Sequence, residues 1–145
     1  MNMKKILSLL MLLLAFSATA QTEVGKVAPL GSFAISIQKF DTYYLFKFKD
    51  SRYTTKTEIV ECKLEGNEAD LQKLYDQIVE KFETKSTGEF DMKFGDEDVK
   101  LNFEKNMGVM SLQFQKYIAK DIDAKVTQTS TYLTRKQVDK LFGKK

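Results

Sequence analysis

Histidine and tryptophan are both missing from this 145-residue chain, and cysteine and proline occur once each. Without histidine there is no Ser-His-Asp triad, no Cys-His dyad and no imidazole metal site. A single cysteine, Cys62, can close no intrachain disulfide and form no Cys-x-x-Cys redox pair. It stands in Ile59-Val60-Glu61-Cys62-Lys63-Leu64, where Val60, Cys62 and Leu64 share one strand face. That placement reads as a small buried hydrophobe, with an intermolecular disulfide or a reactive thiol as the alternatives. Phosphate-cradling glycine patterns are missing too, since Ser86-Thr87-Gly88 and the segment 127–131 are polar connectors. Concentrated acid is confined to Asp91 and Asp96-Glu97-Asp98 after Gly95. That run lacks the spaced ligands of a calcium loop and reads as a solvated turn. An enzyme of carboxylates and tyrosines would need a cleft that raises their pKa values. The chain reads as non-enzymatic, with no catalytic residue, no metal ligand and no cofactor.

What is present begins with a leader. Lys4 and Lys5 precede an almost unbroken apolar run from Ile6 to Phe16, and Ala18-Thr19-Ala20 supplies small residues before Gln21. This is the pattern of a cleaved Sec-type signal over residues 1–20. The run falls well short of the roughly 20 residues that span a bilayer, so stable membrane insertion after cleavage is not expected. The chain is thus expected to be exported, to the periplasm or beyond the cell. Lys4 and Lys5 are lost with the leader and no acid is, leaving 21 basic and 20 acidic residues and a net charge of +1. So near-neutral a chain lacks the clustered positive charge that nucleic acid requires. Residues 21–145 suit one globular domain, large enough to bury roughly two-thirds of its unfolded surface.

The firmest local signal is Asn67 to Phe82. Leu71, Leu74, Tyr75, Ile78, Val79 and Phe82 recur at helical spacing and fall on one stripe, with charged residues opposite. Asn67 is placed to cap this helix, and Asp70 complements its positive N-terminus. Before it, Phe33, Ile35 and Ile37 alternate with polar residues, Asp41-Thr42 interrupts, and Tyr44, Phe46 and Phe48 resume the alternation, which predicts a hairpin. A third strand is predicted from about Lys56 to Leu64.

The second half repeats this pattern 66 residues later. Phe33-Ile35-Ile37 falls on Val99-Leu101-Phe103, Asp41-Thr42 on Met107-Gly108, and Tyr44-Phe46-Phe48 on Met110-Leu112-Phe114. One further residue brings Leu71, Leu74 and Tyr75 onto Val138, Leu141 and Phe142, behind a capping box of Thr134 and Gln137. Glu23-Val24 and Glu89-Phe90 suggest a short strand opening each unit. The reading is an α+β fold of two repeats, about 23–84 and 89–145. Each is a unit of three or four strands and a helix, giving one antiparallel sheet with both helices on one face. This order of elements resembles the tandem-repeat architecture of exported β-lactamase-inhibitor-like proteins. The likeness is one of architecture, with no motif matched residue for residue, and it implies an open sheet face that grips a protein partner.

The open face should then carry Tyr43, Leu45, Lys47 and Lys49, with Tyr53 beyond, in the first unit. In the second it should carry Val109, Ser111, Gln113 and Gln115, with Tyr117 nearby. Tyrosine and leucine among lysines suit a contact surface, so Tyr43, Leu45, Lys47 and Tyr53 are the candidate residues for an unidentified protein partner in the envelope or outside the cell. The alternative is a carrier of a small apolar ligand or lipid, held between sheet and helices by Phe46, Phe48, Tyr75 and Phe114.

Overall fold

A computed structural model describes residues 2–3, 21–121 and 124–145. Apart from Asn2 and Met3, the expected leader lies outside the described residues, and no helix among them is long and apolar enough to cross a membrane. Eight strands and two α-helices follow the predicted order: β1 (Thr22–Val27), β2 (Ile35–Lys39), β3 (Tyr43–Lys49), β4 (Ile59–Glu65), α1 (Glu68–Thr84), β5 (Gly88–Phe94), β6 (Glu97–Asn106), β7 (Val109–Asp121), β8 (Ala124–Thr129) and α2 (Arg135–Leu141). A 3-10 turn, Pro29–Gly31, joins β1 to β2.

The local signals explain these elements. Along β3 every second side chain is buried, namely Tyr44, Phe46 and Phe48, because successive residues of a strand point to opposite faces. In α1 the stripe Leu71, Leu74, Ile78 and Phe82 is buried. The Asn67 side chain accepts from Asp70 N–H while the Asp70 carboxylate accepts from Asn67 N–H, and Thr134 and Gln137 make the same reciprocal pair at α2. Met107 and Gly108, both at positive φ, form the two-residue turn of the β6–β7 hairpin.

The two units keep one register at their centres. The pair Ile37–Phe46 of β2–β3 becomes, 66 residues on, the observed pair Phe103–Leu112 of β6–β7. The outer strands do not follow. Gly25 faces Ile37, but it is Gly88, not Asp91, that faces Phe103. Likewise Leu45 faces Lys63, but Thr129 faces Gln115, not Ser111.

One expectation is corrected here. The strands form two four-stranded antiparallel sheets, β1-β2-β3-β4 and β5-β6-β7-β8, in place of one continuous sheet. The reason lies at the outer edge of β4. Glu97 Oε2 accepts Lys63 N–H at 2.7 Å, and Lys116 Nζ donates to the Glu61 carbonyl at 2.7 Å and to Glu97 Oε1 at 3.1 Å. An ion pair from the second sheet thus takes the place of a neighbouring strand. Gly95 lies beside Glu65, Glu97 meets Lys63 and Lys116 meets Glu61. β4 therefore runs across the ends of β5, β6 and β7 rather than alongside β5.

Both sheets share one core. Phe46 of the first lies 5.1 Å from Phe94 and 5.9 Å from Phe114 of the second, and 6.2 Å from Phe142 after α2. α1 bridges the sheets, with Leu71 beside Tyr44 at one end and Phe82 edge-on to Phe103 at the other. α2 lies against β1, close enough that a Cβ on Gly25 would stand 2.2 Å from the Leu141 carbonyl oxygen. Gly25 follows a register shift in β1 and is glycine because backbone, not side chain, occupies the space beside it.

A second junction sits at the far end of β3. Ser51 N–H donates to the Thr129 carbonyl at 2.7 Å, and Asp50 is fully buried beside it. Arg52 grips the Asp50 carboxylate through Nε at 3.0 Å and Nη2 at 2.7 Å, and the N–H groups of Arg52 and Thr129 also donate to it. Burial alone would raise the Asp50 pKa, but these hydrogen bonds outweigh it and hold the carboxyl below its ordinary value.

Two outcomes are expected. Gly25→Ala forces α2 off β1 and should cost about 3 kcal/mol, read as a lowered urea midpoint at unchanged slope. Because the folded pKa of Asp50 is depressed, its stabilisation is complete above the unfolded value of about 3.9 and is lost as pH falls below it. The stability difference between wild type and Asp50→Asn should therefore be full at neutral pH and shrink through that acid window. An equal difference at both ends would remove Asp50 from the junction's energetics.

Candidate protein-contact face

The outward residues of β3 lie as the alternation requires. Tyr43, Leu45, Lys47 and Lys49 are all half-buried and point away from the core. Tyr43 stacks on Phe40, with ring centroids 4.7 Å apart and planes within 8°. The hydrogen bond from Phe40 N–H to the Tyr43 carbonyl at 2.9 Å closes the β2–β3 turn and holds the two rings together. Lys63 Nζ lies 4.3 Å above the Tyr43 ring. Leu45 stands between Gln38 of β2 and Lys63 of β4, and Lys47 reaches Glu61 at 3.8 Å. Gln38 Oε1 is buried with no hydrogen-bond partner among the described residues, one unmet polar group on this face.

Tyr53 is not part of this cluster. It lies past Asp50, at the opposite end of β3 from Tyr43, which at a rise of about 3.4 Å per residue places it more than a strand length away. There its ring is flanked by Lys56 Nζ at 4.3 Å and Arg52 at 5.2 Å, and it borders a cleft of about 310 Å³ with Phe33 and Thr131.

The residues expected to line a carrier pocket separate as well. Phe46, Phe48 and Phe114 are closed in the core. Only Tyr75 reaches a cleft, where its hydroxyl donates to Asp139 at 2.7 Å and its ring lies 5.4 Å from Phe142. Burial first, and the Asp139 carboxylate second, raise the Tyr75 pKa.

The outer face of the second sheet is closed by its own side chains. Gln113 Nε2 donates to the Ser130 carbonyl at 3.0 Å, Gln115 Nε2 to Gln113 Oε1 at 2.9 Å, and the Tyr117 hydroxyl to Gln115 Oε1 at 3.1 Å. Both glutamines are only 8% exposed. Asn102 spans from Glu104 to the Tyr132 hydroxyl. Lys100 lies 4.8 Å from the Tyr117 ring. Of the acidic run, Glu97 is committed to the junction with β4, while Gly95 and Asp96 make the β5–β6 turn.

Sequence reasoning missed Phe40 and Gln38 as parts of the first face. The signal for Phe40 was legible, since aromatics bracket the Asp41-Thr42 turn. Nothing local marked Gln38. Cys62 lies under this face, on the inner side of β4, and burial pushes its thiol up to about 12. At neutral pH it is a thiol, so an aromatic disulfide reagent should label it only after urea unfolds the protein. Rapid labelling of the native protein would show an open edge at β4.

The chain matches no protein-family model, no curated protein and no solved structure.

Proposed function

We propose that this is an exported, non-enzymatic binding protein, built from a duplicated strand-and-helix unit, which takes a protein partner on the outer face of its first sheet. The observation that carries this reading is the contrast between the two outer faces. On the second sheet, amides and tyrosines satisfy one another. On the first, the Phe40–Tyr43 stack and Leu45 remain half-exposed beneath lysine stems, with an unmet acceptor at Gln38. Aromatic anchors beside aliphatic surface, rimmed by charge, have the composition of an interface centre. The absence of histidine from the sequence favours binding over acid–base chemistry.

The test pairs two faces of one molecule. Wild type and Tyr43→Asp/Leu45→Asp are used as bait in the envelope fraction, with Tyr132→Asp as a control on the second sheet. The expected result is a stoichiometric partner held by wild type and the Tyr132 control and lost by the double variant, all three folding alike by circular dichroism. A partner retained by the double variant would place the interface elsewhere.

A further inference from the structure

Where β1, the β2–β3 turn, the first turns of α1 and the C-terminal residues meet, they enclose a cleft of about 220 Å³. Its apolar wall is made by Val24, Leu71 and Phe142, and the Tyr75 ring completes it. Two polar groups in this cleft lack the partners their chemistry requires. The first is Tyr44, a core residue only 2% exposed that nonetheless borders the cleft; its hydroxyl makes no hydrogen bond to any described residue. A buried phenol normally finds a partner, because leaving it unpaired costs its full desolvation. The second is Lys144. Its ammonium donates to the neutral Gln72 amide oxygen and lies 5.3 Å from the Tyr75 ring, and it has no carboxylate partner among the described residues. The other lysine here, Lys39, is already neutralised by Glu68 at 2.5 Å. The cleft therefore carries one surplus positive charge, one unused phenol donor and an aromatic wall.

We propose that this cleft binds a small aromatic monocarboxylate. The ring of the ligand lies against Phe142 and Tyr75, where aromatic pairs gain beyond area alone. Its carboxylate takes the Lys144 ammonium in place of the Gln72 amide and accepts from the Tyr44 hydroxyl, exchanging a neutral hydrogen bond for charge-assisted ones. The single surplus charge matches a monoanion. A cleft of this volume lies below the range of about 300–1,000 Å³ that takes drug-sized molecules, which limits the ligand to about one ring and a short acid chain. This site is separate from the β3 face and does not depend on that face having a partner.

The experiment is an NMR titration of the protein purified after export, following the amides of Leu71 and Tyr75. The probes are 3-phenylpropionate, its neutral analogue 3-phenylpropan-1-ol, and propionate. The acid is expected to give saturable shifts, and the alcohol and propionate to bind about tenfold more weakly or not at all. Lys144→Gln and Tyr44→Phe should each weaken the acid by about tenfold, and Lys144→Arg should keep most of the affinity. Absence of saturation, equal affinity for acid and alcohol, or unchanged binding in both weakening variants would overturn the proposal. Tyr44→Phe keeps the ring in the core, so a lost hydroxyl is read separately from a lost fold.

Discussion

The architecture turns on how the outer edge of β4 is satisfied. An edge strand presents N–H and C=O groups that need partners, and buried ones left alone cost about 1–3 kcal/mol each. Here Glu97 and Lys116 supply those partners while pairing with each other. Side chains reach the edge at an angle that a backbone ladder does not allow, so β4 crosses the second sheet instead of joining it. Two sheets can then enclose a common core, in which Phe46 meets aromatic rings from β5, from β7 and from the segment after α2. The same charges close the edge of β4 to other strands, a hazard that an exposed edge would otherwise carry.

The helices complete this arrangement by crossing between units. α1 follows the first sheet but reaches the second through Phe82, while α2 follows the second sheet and lies on β1 of the first. Tyr75 and Asp139 join the two helices directly. Neither half encloses its own core, and the cleft holding Tyr44 and Lys144 exists only because the C-terminus returns to the first sheet. The polar closure of one outer face and the exposed aromatic stack on the other follow from side-chain chemistry on equivalent strands. Gln113 and Gln115 can bond to one another and to the Ser130 carbonyl, whereas their counterparts Lys47 and Lys49 cannot accept hydrogen bonds from each other.

Much of this was written locally. The α1 stripe and its Asn67–Asp70 box, the alternation in β2, β3, β6 and β7, the burial of Cys62, and the 66-residue offset of the central hairpins all follow from side-chain order along a single segment. Of the candidate contact residues, Tyr43, Leu45 and Lys47 lie together because they share one strand face. Tyr53 does not, because the loop after Asp50 is tied to Thr129 by hydrogen bonds that no local pattern announces. Phe46, Phe48 and Phe114 were legible as inward-facing but not as filling the space between two sheets, since a strand pattern records which face is apolar and not what covers it.

By itself, then, the sequence determined the kind and order of the elements, the face each residue turns to its own backbone's inside, and the absence of histidine chemistry. These follow from periodicity and composition, which act within a few residues. The tertiary structure alone decided that the strands divide into two sheets, that Gly25 yields its space to α2, and that Tyr44 and Lys144, from distant parts of the chain, border one cleft. Those outcomes depend on packing and on pairing of edge groups between segments far apart in the chain, and no local pattern carries that information.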